Sequence, residues 1–248
     1  MTDLSVVIPA YNETNNFNRG VLDQVHQYLS ARKYASEVII VDDGSNDDTV
    51  KLVAGYIRDK PTWRLIANPH QGKAQTVATG IAAAQYAAVL FTDFDQATPI
   101  AEVEKLLPFL KRGYDVVIGS REIEGSRREG EPWYRHLMGR GFNFFVSLFA
   151  FGNIHDTQCG FKLFKTGVAQ KLFSQLVVYG AHRETRAFTG AFDVEVLYLA
   201  HKRRYKIAEV PVFWTHVTTP RVSPLRDSVR MFLDLIRIRL TDLMGRYK

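Results

Sequence analysis

Two aspartates separated by one residue could hold a metal ion. Asp93 and Asp95 follow residues 88–91, an apolar segment with the composition of a buried strand. Alternate residues of an extended segment point to the same side, so both carboxylates could face one ligand. A hard divalent cation, shared with substrate phosphates, would offset two adjacent negative charges. The alternative is an ordinary Asp-x-Asp pair on the surface of a loop.

A second acidic motif, Asp-Asp-Gly-Ser at residues 42–45, directly follows the β-branched segment 38–41. A carboxylate at such a strand end can accept hydrogen bonds from a nucleobase N–H or a ribose hydroxyl. The alternative is a tight turn in which Ser45 caps the next helix. Both interpretations can hold, because Gly44 and Ser45 could shape the turn while Asp43 faces the ligand.

Strand and helix patterns alternate through the first 121 residues. This alternation predicts an α/β fold with a mainly parallel, doubly wound sheet and helices on both faces. Ligands of such sheets bind beyond the carboxyl ends of the strands, where the acidic motifs fall. The predicted strands are residues 4–8, 37–41, 63–67, 88–91 and 115–119, and the predicted helices are 15–32, 45–57, 73–86 and 101–111.

The pattern changes after residue 121. A charged, glycine-containing stretch is typical of a mobile loop, and an aromatic-rich helix is predicted to follow it. Pro211 should interrupt the last predicted strand. The predicted elements are a loop at 122–132, a helix at 133–151, a strand at 161–164, helices from 166 and over 191–203, a strand at 206–214, and a closing amphipathic helix at 223–244.

Composition limits the class of protein. Hydrophobic residues make up 46% of the chain and charged residues 23%, as in a globular domain with a core. The single cysteine, Cys159, excludes an internal disulfide framework, and we expect it to be a small apolar residue. The net charge is +6, and residues 221–248 contain seven basic residues against three acidic ones. Such charge suits phosphates or anionic lipid; no nucleic-acid-binding motif accompanies it, so we expect no nucleic-acid partner.

Three motifs together resemble glycosyltransferase family 2, whose members have the Rossmann-like GT-A fold. They are Val-Val-Ile-Pro-Ala-Tyr-Asn-Glu at residues 6–13, Val-Asp-Asp-Gly-Ser-Asn-Asp-Asp-Thr at 41–49 and Asp-Phe-Asp at 93–95. Further segments are similar to the dolichyl-phosphate glucosyltransferase branch, a neighbour of the dolichyl-phosphate mannose synthases. These segments are residues 117–121, 156–164 and 192–195. The resemblance extends from about residue 4 to residue 240.

The resemblance implies a role for each matching position. Asp93 and Asp95 would hold Mg²⁺ or Mn²⁺ on the donor diphosphate. Arg121 and Arg135 match arginines that face phosphates near the acceptor, and Arg221 lies where the mannose synthases place a lysine on the donor diphosphate. Residues 1–121 would be the nucleotide-sugar-binding half, and residues 122–248 the acceptor-binding half, of one integrated catalytic domain. The nucleotide-sugar-binding residues would be Pro9, Ala10, Tyr11, Glu13, Asp42, Asp43, Asp93, Phe94 and Arg221.

A cluster of arginines indicates which chemical class of acceptor the protein uses. Breaking a sugar–diphosphate bond develops negative charge on the leaving group, which a metal and arginines offset. A hydroxyl acceptor also needs a general base, whereas a phosphate acceptor is already ionised near pH 7. The cluster therefore favours a phosphate, although interspersed glutamates also fit a mixed-charge surface loop. The arginines are Arg121, Arg127, Arg128, Arg135 and Arg140.

Other polar residues allow more than one interpretation. Asp156 and Asp193 could be general bases or acceptor-site residues, and Asp156 is counted among the catalytic candidates because its motif matches the branch. Asp156 is also a plausible turn residue. Residues 70–73 lie at the N-terminus of a predicted helix and could approach a phosphate there. We predict instead that they cap the helix and that Lys73 faces solvent.

Two apolar stripes at helical spacing, within residues 133–149 and 229–244, bear on contact with a membrane. Apolar and basic faces together are typical of a helix in the lipid interface, but amphipathic helices also cover cores. No window approaches the roughly 20 apolar residues of a spanning helix, and the first residues lack a signal-peptide pattern. We therefore expect a cytoplasmic protein, peripheral on the cytoplasmic face of a membrane.

These observations predict a metal-dependent, inverting glycosyltransferase that moves glucose from UDP-glucose to a polyprenyl or dolichyl phosphate. One alternative keeps the fold but uses GDP-mannose or a soluble hydroxyl acceptor. Another is a nucleotide-sugar-binding or lipid-binding regulatory protein without turnover, against which the intact pair of Asp93 and Asp95 argues. The sequence leaves the oligomeric state open.

Overall fold

The structure, a computed structural model, describes residues 2–130, 154–180, 191–217 and 224–247. Its strands are β1 (Leu4–Ala10), β2 (Ser36–Asp42), β3 (Trp63–Ala67), β4 (Ala88–Thr92), β5 (Val116–Ser120), β6 (Arg127–Glu129), β7 (Phe161–Lys165), β8 (Ile207–Pro211) and β9 (Phe213–Thr215). Its α-helices are α1 (Thr14–Asn18), α2 (Val21–Ser30), α3 (Thr49–Tyr56), α4 (Lys73–Ala83), α5 (Val103–Lys111), α6 (Thr166–Ser174), α7 (Phe192–Lys202) and α8 (Pro224–Leu243). A 3₁₀ turn, Ile100–Glu102, precedes α5.

The described strands form a seven-stranded sheet in the order β3-β2-β1-β4-β7-β5-β8 and a small sheet of β6 and β9. In the large sheet β1 pairs in parallel with β2 and β4, β2 with β3, and β5 with β8. Only β7, among these strands, runs antiparallel to its neighbours, β4 and β5. The predicted α/β fold with a mainly parallel sheet is therefore confirmed.

Burial on both faces explains the uninterrupted apolar strands. Every residue of β1, β4 and β5 is buried, which is typical of parallel strands covered by helices on two sides. One core cluster joins the sheet to α4, α6, α7 and α8, and a second joins its other face to α2 and α5. A Cβ on Gly80 of α4 would meet Val7 Cγ1 at 2.4 Å, so that helix lies very close to β1.

The structure corrects two predicted elements. Residues 15–32 form two helices instead of one, because Gly20 adopts a left-handed conformation (φ 73°) between α1 and α2. The predicted loop 122–132 contains β6, which pairs in parallel with β9, a partner more than 80 residues away. The interruption at Pro211 is confirmed, since β8 ends there and β9 begins at Phe213. The predicted helix 133–151 lies outside the described residues.

Candidate active site

The carboxyl ends of the parallel strands lie at one edge of the sheet, and the loops after β1 and β2 are joined there. The Asn12 amide donates to Ser45 Oγ at 2.8 Å, and the Asn46 amide donates to Asn12 Oδ1 at 2.8 Å. The Glu13 amide donates to Thr49 Oγ1 at 2.7 Å. Pro9 and Ala10, two predicted nucleotide-sugar-binding residues, are buried members of β1 just before this joined pair of loops.

Asp42 holds the turn after β2. Its Oδ2 accepts hydrogen bonds from the amides of Gly44 (2.9 Å) and Ser45 (3.0 Å), and its Oδ1 accepts one from Ser45 Oγ (2.5 Å). Gly44 has a positive φ of 72°, which the turn requires. The structure therefore supports the turn interpretation for Asp42. Its predicted binding of the nucleotide sugar stays a prediction. Ser45 is engaged by Asp42 and Asn12, and α3 begins at Thr49.

Asp43 connects the end of β2 to the start of α4. Its Oδ1 accepts a hydrogen bond from the Gln71 amide at 2.8 Å, and its Oδ2 accepts one from the Gly72 amide at 3.0 Å. His70 Nδ1 lies 2.9 Å from Asp43 Oδ2, and the His70 ring stacks on Tyr11 with centroids 4.6 Å apart. Tyr11 and Asp43, both predicted pocket residues, are thus brought together through His70.

Asp93 and Asp95 follow β4 as predicted, with Phe94 between them buried in the core. The side chain of the intervening Phe94 packs in the core, and its predicted contact with the donor stays a prediction. Asp95 Oδ1 accepts a hydrogen bond from the Ala97 amide at 3.0 Å. Burial, followed by the charge of Asp93, raises the pKa of Asp95 to about 6.

Lys73, at the start of α4, faces this acidic pair and not the solvent, contrary to the prediction. Its Nζ lies 2.6 Å from Asp93 Oδ1, and its side chain is only 24% exposed. Burial would lower the pKa of Lys73, but the negative charges of Asp93, Asp193 and Asp95 outweigh it and raise the pKa. The sequence contains both residues but no local signal that they meet, since they are 20 positions apart.

The acidic pair fits a divalent cation. A positive charge, that of Lys73, already lies within contact distance of Asp93, so the geometry accommodates a cation there. Within the described ranges no group of three or more His, Cys, Asp or Glu residues could hold a metal. Asp93 and Asp95 are the two predicted ligands, and water and substrate phosphates would have to complete the shell, as is usual for Mg²⁺.

Gly160 leaves the space that the Asp93 carboxylate occupies. A Cβ at position 160 would lie 2.0 Å from Asp93 Oδ2, and the Gly160 carbonyl accepts a hydrogen bond from the Asp93 amide at 3.2 Å. The segment before β7 therefore positions the metal-binding candidate. Gly160 belongs to the 156–164 motif, but nothing in the local sequence indicates that its missing side chain makes room for Asp93.

Arg121, after β5, is held by Asp156. Arg121 Nε donates to Asp156 Oδ2 at 2.7 Å and Nη2 donates to Oδ1 at 2.9 Å, a bidentate pair. The Asp156 side chain is 0% exposed. Burial would raise its pKa, but the charge and hydrogen bonds of Arg121 outweigh it and lower the pKa to about 2. A carboxylate of such low basicity is a poor general base. The contacts show Asp156 positioning Arg121, and its catalytic role stays a prediction.

Further contacts fix the neighbourhood of Arg121. Its guanidinium lies 5.4 Å from the centre of the Trp214 ring, and its carbonyl accepts a hydrogen bond from Arg128 Nε at 3.0 Å. Arg128 also pairs with Glu122. The paired strands β6 and β9 thus bring Arg121, Arg128 and Trp214 to one side of the site. Arg135 and Arg221, the other predicted phosphate-binding residues, lie outside the described residues, as does Arg140.

Asp193, the other candidate base, lies in a buried ion pair. Lys162 Nζ is 2.5 Å from Asp193 Oδ1 and donates to the Cys159 carbonyl at 2.5 Å. Burial raises the pKa of Asp193 despite the opposing effect of Lys162. Burial also raises the pKa of the Cys159 thiol, to about 11, which agrees with its interpretation as a small apolar residue.

Comparison with solved structures identifies the fold class. The chain superposes on glucosyl-3-phosphoglycerate synthase from Mycobacterium tuberculosis in complex with UDP, with a TM-score of 0.66 and 21% identity, over 97% of this chain and 79% of that one. A complex of that enzyme with Mn²⁺, UDP and glucosyl-3-phosphoglycerate gives a TM-score of 0.61 at 20% identity, over 99% and 80% of the two chains. The fold is therefore the GT-A fold of glycosyltransferases.

Sequence comparison identifies the family. Residues 5–173 match the sequence profile of Glycosyl transferase family 2, and the chain belongs to that family. The dolichyl-phosphate beta-glucosyltransferase of Dictyostelium discoideum is 35% identical, over 99% of this chain and 76% of that protein. The human dolichyl-phosphate beta-glucosyltransferase is 34% identical, over 99% and 77% of the two chains. The protein is thus a glycosyltransferase, and the alternative of a regulatory protein without turnover is set aside.

Proposed function

We infer that the protein transfers glucose, with inversion, from UDP-glucose to a polyprenyl or dolichyl phosphate, using Mg²⁺ or Mn²⁺. The observation that carries this proposal is the similarity, over nearly the whole chain, to dolichyl-phosphate beta-glucosyltransferases. The site adds physical support, because it combines an acidic pair suited to a metal with a fixed arginine at the same edge of the sheet.

The donor lies, in this proposal, across the strand ends of β1, β2 and β4. The joined loops after β1 and β2, with Tyr11, Glu13 and Asp43, would form the base and ribose pocket. The metal, when bound by Asp93 and Asp95, would neutralise the charge that develops on the leaving diphosphate. Because Asp43 already accepts two backbone hydrogen bonds, it would serve the pocket mainly by fixing residues 70–72.

The acceptor phosphate lies, in this proposal, on the Arg121 side of the metal. Asp93 and Arg121 follow β4 and β5, which are separated by one strand, so their backbones are about 10 Å apart at the spacing of a sheet. Asp156 holds the Arg121 guanidinium in a fixed orientation before substrate arrives. A phosphate is a nucleophile without a general base, which agrees with the poor basicity of Asp156. The division into a donor half, 1–121, and an acceptor half, 122–248, belongs to this proposal.

A lipid acceptor requires contact with a membrane, and α8 provides a suited surface. Within the part of the chain that the structure describes, the exposed large apolar side chains all lie on α8 or just after it, with Leu243 83% exposed. Exposed arginines at positions 237, 239 and 246 flank them, as in helices that bind anionic lipid. We call this surface the apolar stripe; its residues are Val229, Leu233, Leu240, Leu243 and Met244.

The opposite side of α8 is anchored in the protein. Leu235 and Ile238 are buried in the core, and Asp234 accepts a hydrogen bond from the Tyr179 hydroxyl. The Tyr198 hydroxyl donates to Asp242 Oδ2 at 2.5 Å. The apolar stripe is therefore not the core-facing side of the helix. Among the helices that the structure describes, none is both long and apolar enough to cross a bilayer.

Replacing Leu240 and Leu243 together by aspartate should weaken binding to anionic vesicles by about tenfold or more. Each leucine contributes about 1.5–3 kcal/mol when it is fully buried in an apolar phase, and aspartate also adds repulsion. Vesicle sedimentation would measure the effect. Ala82→Asp, which adds a negative charge on the exposed side of α4, is the control and should bind as the wild type does. Equal binding by all three proteins would remove α8 from the membrane contact.

Gly160→Ala should reduce activity by about a hundredfold, because its methyl group would displace the Asp93 carboxylate and misplacement by about 1 Å can cost that much. The backbone at Gly160 has an ordinary φ, so strain should not contribute. The matched control is Gly167→Ala in α6, where a Cβ would meet nothing within 4 Å. If both variants retain full activity, Asp93 does not hold the metal in the position described.

Incubation with radiolabelled nucleotide sugars and polyprenyl phosphate tests the proposed donor. Label from UDP-glucose should enter the organic phase in the presence of Mg²⁺ or Mn²⁺ and should not do so in EDTA. Label from GDP-mannose should remain in the aqueous phase. Transfer from GDP-mannose alone would replace the donor assignment, and full turnover in EDTA would overturn the role of the metal.

A further inference from the structure

A line of alternating charges, buried at Lys162 and Asp193 and partly exposed at Lys73 and Asp93, adjoins the acidic pair. Lys162 pairs with Asp193 at 2.5 Å and is 1% exposed, and Lys73 pairs with Asp93 at 2.6 Å. The two ammonium groups lie 6.0 Å and 5.4 Å, respectively, from the centre of the Phe91 ring, so the two ion pairs are neighbours. The line therefore extends from the core at Lys162 and Asp193 to the partly exposed pair of Lys73 and Asp93.

The carboxylates along this line outnumber the ammonium groups in the absence of a metal. Three carboxylates, Asp93, Asp95 and Asp193, face two ammonium groups, Lys73 and Lys162, and the charge of Glu13 also acts on Asp95. A divalent cation would offset this negative excess, so Lys73 would no longer be needed to neutralise Asp93. Lys162 is enclosed by Asp193 and the Cys159 carbonyl, whereas the Lys73 side chain is partly exposed. Lys73 is therefore the cation that can leave its carboxylate.

We propose that Lys73 is the resident counterion of the metal-free site, which the divalent cation displaces from Asp93. This inference rests on the metal site of the proposed function. Lys73 Nζ and a metal ion cannot share Asp93 Oδ1 without strong repulsion, because each would lie within about 3 Å of that oxygen. The metal alone therefore binds weakly. An anionic nucleotide offers the displaced ammonium group a new partner, so nucleotide and metal bind together with positive coupling.

Mn²⁺ binding to the full chain tests this inference without any measurement of turnover. The electron paramagnetic resonance signal of free Mn²⁺ shows how much Mn²⁺ the protein has bound. It therefore gives the affinity of the protein for Mn²⁺ with and without UDP. Lys73→Met should bind Mn²⁺ alone about tenfold more tightly than the wild type, because the competing cation is gone. The factor by which UDP raises the Mn²⁺ affinity should then be about ten times smaller for the variant than for the wild type.

Two further variants separate this role from a structural one. Lys165→Met removes a Lys–Asp pair of similar length, 2.8 Å to Asp115, at the opposite edge of the sheet, and should bind Mn²⁺ as the wild type does. Lys73→Gln keeps a polar group without the charge and should behave as Lys73→Met does, even if the methionine variant folds poorly. Loss of packing alone would weaken Mn²⁺ binding, the opposite of the expected change.

The outcomes distinguish this inference from the proposed function. If both Lys73 variants bind Mn²⁺ no more tightly than the wild type, while UDP still promotes Mn²⁺ binding, Lys73 is not a competing counterion and the metal site stands. If no protein binds Mn²⁺ even with UDP, the metal site itself is wrong, and the inference fails with it.

Discussion

Asp95→Asn is expected to lower the rate of sugar transfer by about a thousandfold or more, since a metal ligand contributes several kcal/mol to stabilising the leaving diphosphate. The asparagine carbonyl can still accept the hydrogen bond from the Ala97 amide, so the local backbone should keep its conformation. Steady-state rates at saturating Mn²⁺ would measure the loss. Asp59→Asn, at a side chain that is 82% exposed, is the control and should retain full activity.

The same substitution should not destabilise the fold, and this separates a functional residue from a structural one. Burial and the charge of Asp93 raise the pKa of Asp95 to about 6, above the value of about 3.8 for an ordinary aspartate. The charged form is therefore disfavoured in the folded protein, and stability falls as the pH rises from about 4 to above 6. In EDTA at pH 7, Asp95→Asn should raise the free energy of unfolding by about 1–2 kcal/mol. A large loss of stability would mean that Asp95 serves the fold.

Asp156→Asn, in contrast to Asp95→Asn, is expected to destabilise the fold, with a loss of about 3 kcal/mol in the free energy of unfolding. Removal of one partner from a buried ion pair leaves the other charge uncompensated, which costs about 3–5 kcal/mol, and asparagine restores part of the hydrogen bonding. Activity should fall as well, because Arg121 loses the group that orients it. Urea unfolding monitored by circular dichroism would give the change in stability.

The pH dependence of stability gives a second test of Asp156. Its folded-state pKa of about 2 lies below that of an unfolded aspartate, so its stabilisation is present above about pH 4 and is lost as the pH falls towards 2. This dependence amounts to about 2 kcal/mol. It should be absent from the stability curve of Asp156→Asn and should appear in the difference between the wild-type and variant curves. A variant that lost activity while it kept the wild-type stability at every pH would restore Asp156 as a candidate general base.

The sheet could be predicted from the sequence because its strands are buried on both faces. Segments such as residues 37–41 and 88–91 are continuously apolar, and each ends in a polar motif, so both the strands and the edge of the sheet that binds ligand follow from local pattern. The position of β7 does not follow from local pattern. It lies between β4 and β5 only because residues far apart in the chain pair there.

The acidic pair was visible in the sequence, whereas its supporting residues were not. Lys73 and Asp93 meet although they are 20 positions apart, and α4 packs closely against β1 at Gly80; no local pattern encodes either contact. Arg121 and Asp156 are 35 positions apart, and the family resemblance points to both residues, but no local pattern indicates that they pair. The break between α1 and α2 is different, since Gly20 is a helix-ending residue that the sequence already displays.

The measurement that tests the central claim most directly compares polyprenyl phosphate with the matching free polyprenol as acceptors of label from UDP-glucose. The two lipids share one tail, so any difference in transfer reports recognition of the phosphate. We expect transfer to the phosphate and none to the alcohol, because the proposed function assigns the acceptor phosphate to Arg121, and Asp156, which is paired with Arg121 and has a pKa lowered to about 2, is a poor base for activating a hydroxyl. Equal transfer to both lipids, or transfer only to a soluble sugar, would contradict the proposed acceptor.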